Sequence, residues 1–234
     1  RELGAIQNIE DNLSVLLIQN DQWANYISDI KPQFANNKVL KYRYDIETSF
    51  EAGNEYLFFD SKDLRVTGPN ISFINQGDLY ESYLYTDIPR KNSQYSFSQD
   101  INGDFQTRTV IGSKNAEIEA DYSWIYFTLA ASIELPETDI YVLGSFNNYE
   151  PTEENLMTYN KALEAYDAKI LIKQGFYNYK YFSNTVSGWK PNLISGDFYQ
   201  TENNYKILVY YRKPGELFDE LIGFGETNSI NILN

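Results

Sequence analysis

Four residues in two loops have side chains that together could bind a sugar. They are Asn147, Tyr149, Trp189 and Lys190, which combine flat aromatic rings with hydrogen-bonding groups. Sugar rings stack on aromatic side chains while polar neighbours bind their hydroxyl groups, so these four residues form a predicted carbohydrate platform. The alternative is structural: Trp189 covers a core and Tyr149 packs beneath its own loop.

The string Asp100-Ile101-Asn102-Gly103-Asp104 places several side-chain oxygens close together, as a calcium-binding loop does. A complete loop of the EF-hand type also needs a bidentate Glu about eight residues after Asp104. Position 112 is Gly, so the calcium pattern fails. Because Asn-Gly is itself a strong turn signal, the string is predicted to be a turn and not a metal site.

Composition argues against the common forms of catalysis. The sequence contains no Cys and no His, which removes thiol nucleophiles, Ser-His triads and His metal ligands. Its 33 acidic residues include no pair whose spacing singles it out for glycosidase chemistry. Phosphate-binding and nucleophile-elbow motifs are absent as well. These observations make a catalytic role the least favoured interpretation.

Charge and hydropathy restrict the partners. With 19 basic and 33 acidic residues the net charge is −14, which repels nucleic acid backbones and anionic headgroups. No apolar run reaches the roughly 18 residues that a membrane-spanning helix needs. The sequence therefore predicts neither nucleic acid binding nor direct membrane insertion.

Most of the chain alternates between apolar and polar residues with a period of two, and 16% of the residues are aromatic. Both features favour β-strands. A hairpin is predicted for residues 71–85, and a second one around Gln174 and Gly175. The clearest other strands are predicted at residues 13–18, 39–46, 56–60, 117–131, 166–173, 176–182 and 205–211. We therefore predict an all-β protein.

The length of 234 residues suits two sandwich domains of roughly 100 residues each. Residues 113–116 (Ser-Lys-Asn-Ala) are the predicted joint between them. The expected organisation is therefore two tandem immunoglobulin-like β-sandwich domains, at residues 1–115 and 116–234.

Two stretches of the second predicted domain are similar to a known sandwich type. YVLGSFNNY (residues 141–149) and AKILIKQGFYNYKYF (residues 168–182) resemble the early-Set immunoglobulin-like fold of glycogen-binding modules. Those modules have a G-x-F-N-x-W corner and a G-x-Y-x-Y-K-F return strand. The resemblance implies the same fold here, but the Trp of the sugar-binding corner is replaced by Tyr149.

Seven blocks, taken in order, resemble the plug-protein family of the type IX secretion system. They are SVLLIQNDQW (14–23), FEAGNEYLFFD (50–60), DINGDF (100–105), IEADYSWIYFTL (118–129), YVLGSFNNY (141–149), KQGFYNYKY (173–181) and TENNYKILVYYR (201–212). The resemblance implies a periplasmic protein, associated with the outer membrane, that closes the periplasmic end of a large translocon β-barrel. It implies no enzymatic activity and no cofactor.

Family members are usually longer, and a further β domain precedes the region that corresponds to Leu13. Such a domain is therefore expected before this chain in the full protein. The family has no catalytic motif, so no functional residue is transferred from it. The alternative function is a carbohydrate-binding β-sandwich module, which would use the four platform residues.

Overall fold

The structure is a computed structural model that describes residues 9–35, 39–110 and 115–232. The strands are β1 (Leu13–Gln19), β2 (Tyr26–Ile27), β3 (Phe34–Ala35), β4 (Leu40–Lys41), β5 (Leu57–Asp60), β6 (Ile71–Gln76), β7 (Tyr80–Leu84), β8 (Phe105–Thr107), β9 (Tyr122–Ala130), β10 (Thr138–Leu143), β11 (Thr158–Asn160), β12 (Ala165–Lys173), β13 (Gly175–Thr185), β14 (Gly188–Lys190), β15 (Asn204–Tyr211) and β16 (Glu220–Asn228). The helices are α1 (Ile9–Asn12) and α2 (Ala116–Glu119), and 3-10 turns span Ile46–Thr48, Ser145–Asn147 and Ser229–Ile232. The predicted all-β class is confirmed. Within these ranges no helix is long and apolar enough to cross a bilayer.

The chain divides into two units that are nested rather than consecutive. The central unit runs from Ala52 to Thr201, and the terminal unit combines Arg1–Glu51 with Glu202–Asn234. The predicted tandem division near residue 115 is therefore wrong. Strands on both sides of that position pair in the same sheets, as β7 does with β9 and β5 with β13. Of the predicted joint, residues 113 and 114 lie outside the described part of the chain.

The first sheet of the central unit has the strand order β11-β12-β9-β7-β6. β6 and β7 form the predicted hairpin, whereas β7 runs parallel to β9. Along β9 every second side chain is buried, as expected for a strand with one face on a core. The buried set is Ser123, Ile125, Phe127 and Leu129.

The predicted strand 117–131 begins later than expected, at Tyr122. The carbonyl oxygen of Asn115 accepts hydrogen bonds from the N–H groups of Ile118 and Glu119. These bonds close the single helical turn α2 and take the backbone out of the extended conformation.

β13 is the centre of the second sheet of the central unit. β5 and β8 pair with its first half, and β10 and β14 pair with its second half. Its Tyr177 ring stacks on the ring of Phe59 from β5, with centroids 5.2 Å apart. Phe59 in turn meets Phe127 of β9 edge-on at 5.8 Å. The core therefore lies between the two sheets, which makes the central unit a β-sandwich.

β12 and β13 are consecutive in the chain but are not partners, so the predicted hairpin around Gln174 and Gly175 is wrong. The N–H of Gln174 donates to the carbonyl oxygen of Asp121 beside the first sheet, whereas the carbonyl oxygen of Gly175 accepts from the N–H of Ser61, directly after β5 of the second sheet. The chain thus crosses from one sheet to the other. A side chain at Gly175 would collide with the carbonyl oxygen of Gln106, 2.5 Å from its Cβ.

The terminal unit contains an antiparallel sheet of order β16-β15-β1-β2 and a separate pair, β3 and β4. Its core is small and consists of Leu13, Val15 and Tyr211, with Leu17, Leu40, Tyr42, Val209 and Ile222 packed against it. Of the predicted strand 39–46, only β4 (Leu40–Lys41) forms. Beyond it, side chains replace ladder bonds: Arg43 N–H donates to Gln33 Oε1 at 3.0 Å, and the Tyr44 hydroxyl donates to the carbonyl oxygen of Lys31 at 2.7 Å.

Candidate functional site

The corner after β10 uses Asn147 to hold its own backbone. The Asn147 side chain accepts a hydrogen bond from the N–H of Gly144 at 3.0 Å and donates one to the carbonyl oxygen of Val142 at 2.9 Å. Both its oxygen and its nitrogen therefore have partners within the corner. Asn147 shapes the turn, and its amide is already engaged when a sugar would approach.

Tyr149 packs inward from the same corner. Its hydroxyl lies 3.2 Å from that of Tyr56, and its ring meets Phe182 edge-on with centroids 6.0 Å apart. Burial raises the pKa of Tyr149. A Cβ at Gly103 would lie 1.9 Å from the Tyr149 hydroxyl, so Tyr149 also rests on the turn at residues 100–104. This geometry agrees with the structural alternative, in which Tyr149 packs beneath its own loop.

Trp189 and Lys190 lie on β14, which pairs with the end of β13. The Trp189 ring stacks on Phe182 at 5.8 Å and remains 41% exposed. Lys190 is exposed as well. The structure therefore separates the predicted platform into a pair built into the corner, Asn147 and Tyr149, and an exposed pair on β14. The Phe182 ring contacts the Tyr149 ring of the first pair and the Trp189 ring of the second.

The D-x-N-G-D string is the predicted turn. Asn102 and Gly103 have positive φ angles of 55° and 85°, and Asp104 N–H donates to the carbonyl oxygen of Ile101 at 3.1 Å. Asp100 bonds backbone N–H groups at Asn102 and Tyr56. Its carboxylate is thus engaged in the fold. Among the described residues no group of three acidic side chains is arranged to hold a metal ion.

A buried charged cluster beside β13 has no counterpart in the sequence predictions. We define the Lys180 cluster as Glu55, Arg90, Asp100, Lys180 and Asp197. Lys180 is 6% exposed, and its Nζ lies 3.8 Å from the centre of the Tyr56 ring. Burial lowers the pKa of Lys180 to about 7, although the three carboxylates of the cluster oppose that shift. An amine of this kind can act as a base at neutral pH.

The contacts of the cluster show what it does in the fold. Arg90 donates to the carbonyl oxygen of Glu55 at 2.7 Å, the Tyr95 hydroxyl bonds the Glu55 carboxylate, and Asp197 accepts from the N–H of Gly53 at 2.6 Å. These bonds connect irregular segments that are far apart in sequence. The cluster therefore fixes the long segment 85–104 and the segment around residue 197 against the sandwich.

Asp87 fixes the start of the same long segment. Its Oδ2 accepts hydrogen bonds from the hydroxyls of Tyr179 and Tyr181, at 2.7 and 2.6 Å. Burial raises the pKa of the Asp87 carboxyl, and the two hydroxyls partly offset that effect. The sequence signal for these buried charges is Lys180 itself, a charged residue inside the aromatic strand FYNYKYF (residues 176–182).

An open cleft of about 360 Å³ lies between β8, β12 and the corner after β10. Aromatic rings line its floor: Phe105 stacks on Tyr177 with centroids 5.4 Å apart, and Phe146 meets Tyr177 edge-on at 5.7 Å. Ile170, Ile172 and Lys173 of β12 form one wall. The cleft thus combines an aromatic floor with the edge of a strand.

Comparison with protein-family models and with curated protein sequences gives no match. Among solved structures, the chain is similar to the crystal structure of a hypothetical protein from Parabacteroides merdae ATCC 43184, with a TM-score of 0.88 and 30% sequence identity. The alignment covers 97% of this chain and 58% of that one, so the chain spans little more than half of that protein. The comparison supports the all-β fold.

Proposed function

We propose that this chain is a non-enzymatic plug subunit that closes the periplasmic end of the type IX secretion translocon barrel. It would act in the periplasm, associated with the outer membrane, and its partner would be the barrel protein. The proposal depends on the seven sequence blocks that resemble the plug family, and the positions of those blocks in the fold support it.

The blocks coincide with the strands that organise both units. SVLLIQNDQW contains most of β1 and TENNYKILVYYR contains β15, the central pair of the terminal sheet. The other five blocks include β5 and most of β9, the end of β10 with its corner, the turn before β8 and most of β13. The resemblance therefore extends over the frameworks of two nested units rather than one common sandwich.

The physical properties of the chain suit a reversible plug. A plug in a water-filled barrel must keep its shape and make polar contacts, and the Lys180 cluster and Asp87 hold an otherwise irregular segment in place. A net charge of −14 would complement a basic rim on the barrel and would favour rapid, salt-sensitive docking.

Co-purification tests this proposal. A tagged chain should travel with the barrel from detergent-solubilised outer membranes, and the recovered fraction should fall as ionic strength rises from about 0.05 to 0.5 M. A strain without the chain should also let large hydrophilic molecules cross its outer membrane. Failure to recover the barrel at low salt would contradict the proposal, and salt-insensitive recovery would contradict its electrostatic part.

The carbohydrate-binding alternative predicts a different result. A sugar-binding module should be retained on a polysaccharide column, and Trp189→Ala should abolish retention because Trp189 is the exposed ring of the predicted platform. Tyr199→Ala is the matched control, since Tyr199 is 82% exposed and lies outside that platform. Retention that survives Trp189→Ala would contradict this alternative.

A further inference from the structure

A stack of three rings ends at the open cleft between β8, β12 and the corner after β10, which we call the aromatic cleft. Tyr177 stacks on Phe59 with centroids 5.2 Å apart and on Phe105 with centroids 5.4 Å apart. Because β5 and β8 pair with opposite edges of β13, Phe59 and Phe105 lie on opposite sides of the Tyr177 ring. Phe105 is the outer ring of the stack, lines the cleft and is 38% exposed. Its second face is therefore open to a ligand.

Two carboxylates stand at the rim of the aromatic cleft. They belong to Glu150 and Glu154, which are exposed, and in the described ranges neither carboxylate makes an ion pair or a hydrogen bond. Among the residues that line the cleft, the one cation is Lys173. Its ammonium group donates to the carbonyl oxygen of Glu117 and lies 5.4 Å from the centre of the Tyr122 ring. The rim therefore offers two unpaired carboxylates and a lysine that already has partners.

The amide side chains of the lining are engaged in the fold. Asn155 accepts a hydrogen bond from the N–H of Thr152 at 3.0 Å and donates one to the carbonyl oxygen of Glu150 at 2.9 Å. Asn147 holds its own corner in the same way. These amides would have to break their bonds to bind the hydroxyl groups of a sugar, and the two carboxylates repel an anion. A cation fits both features that are open, because a ring face and a carboxylate each attract positive charge.

We propose that the aromatic cleft binds an alkylammonium group, which lies on the open face of Phe105 with the carboxylates of Glu150 and Glu154 beside it. The methyl and methylene groups of such a ligand suit the apolar wall that Ile170 and Ile172 provide. A volume of about 360 Å³ is sufficient for a small molecule. The inference does not depend on the translocon proposal, because binding can be measured with the isolated chain.

The test compares two ligands of the same shape, titrated into the isolated chain and followed by NMR. Choline carries a trimethylammonium group, and 3,3-dimethylbutan-1-ol has a neutral carbon in place of that nitrogen. We expect choline to bind saturably with a Kd of about 0.5–5 mM at low salt. The neutral alcohol should bind at least about fivefold more weakly. Raising the salt concentration should weaken only the binding of choline.

Variants of the chain locate the ligand. Phe105→Leu keeps an apolar side chain but removes the ring face, so it should weaken choline binding about fivefold, whereas Phe105→Tyr should preserve it. Glu150→Gln and Glu154→Gln should each weaken binding about two- to fourfold at low salt. The matched controls are Phe73→Leu and Glu153→Gln, since both residues are exposed and lie outside the cleft. Circular dichroism confirms that each variant is folded.

Three results would overturn the proposal: equal affinities for choline and the neutral alcohol, equal effects of Phe105→Leu and Phe73→Leu, or no saturable binding up to about 20 mM choline. A third ligand, Nα-acetyl-lysine methylamide, identifies the source of the ammonium group. If it binds more tightly than choline, the cleft takes a lysine side chain of a polypeptide. If choline binds more tightly, the cleft takes a free organic cation. Both outcomes support the proposal.

Discussion

At the scale of single residues, the burial of Lys180 links the protonation of its amine to the stability of the fold. Its ammonium group lies against the Tyr56 ring, close to three carboxylates and to Arg90, in a place that water barely reaches. Burial favours the neutral amine there and outweighs the surrounding negative charge. The cost of keeping this group charged should therefore appear in the pH dependence of folding.

We predict that the free energy of unfolding rises between pH 7.5 and 9.5. The pKa of Lys180 is about 7 in the folded chain, against an ordinary value of 10.5. Between these values the unfolded chain binds more protons, so raising the pH favours the folded state, by at most about 1.4 kcal/mol per pH unit. Urea unfolding at several pH values measures the slope. Lys180→Met should remove it, and an unchanged slope in that variant would assign the effect to other groups.

At the scale of elements, the corner after β10 depends on its close contact with β13. A Cβ at Gly144 would lie 2.5 Å from the carbonyl oxygen of Asn178, a backbone atom that cannot move aside without bending β13. The φ of Gly144 is −170°, so the constraint is contact rather than backbone conformation. Glycine is therefore required here for space.

Gly144→Ala should destabilise the chain by about 2–3 kcal/mol, because the overlap forces the corner away from β13. Gly77→Ala is the control, since its nearest contact is an ordinary 3.4 Å and it lies in the β6–β7 turn. Thermal unfolding of the two variants gives the comparison. Equal melting temperatures would show that the corner shifts without cost.

Local sequence patterns predicted the positions of strands better than they predicted which strands pair. β1, β5, β12, β13 and β15 follow from alternation and apolar runs, and Asn-Gly correctly marks the turn at residues 102–103. The pairing of β12 and β13 was mispredicted, because Gly175 looks like a hairpin turn although it marks a crossing between sheets. That role depends on Gln106, a residue about seventy positions away in the chain, which no local pattern reports.

For the same reason, the sequence predicted the residue types of the carbohydrate platform but not the contacts that its residues make. Asn147 and Tyr149 have the residue types of a sugar platform, but hydrogen bonds to Val142, Gly144 and Tyr56 engage them in the fold. The Lys180 cluster depends on which strands become neighbours, and it appears only once the sheets are assembled.

At the scale of the whole molecule, the nesting of the two units gives a direct test of the architecture. We predict that Ala52–Thr201 folds alone, because it holds both sheets of the sandwich and its ends meet where Phe198 N–H and the Thr201 hydroxyl bond the carbonyl oxygen of Gly53. Fragments 1–115 and 116–234 should not fold, since each lacks partners for its strands. Circular dichroism and cooperative urea unfolding distinguish these outcomes. Two stable halves would contradict the nested division.

The pairing of β1 with β15 also determines the order in which the strands can pair during synthesis. Leu13 lies opposite Tyr211, so β1 leaves the ribosome long before β15, the neighbour with which it pairs along its whole length. The residues between them can complete their sandwich in the meantime. During that interval only the short strand β2 can pair with the apolar run Val15-Leu16-Leu17-Ile18, which makes this run a binding site for a chaperone that holds extended segments.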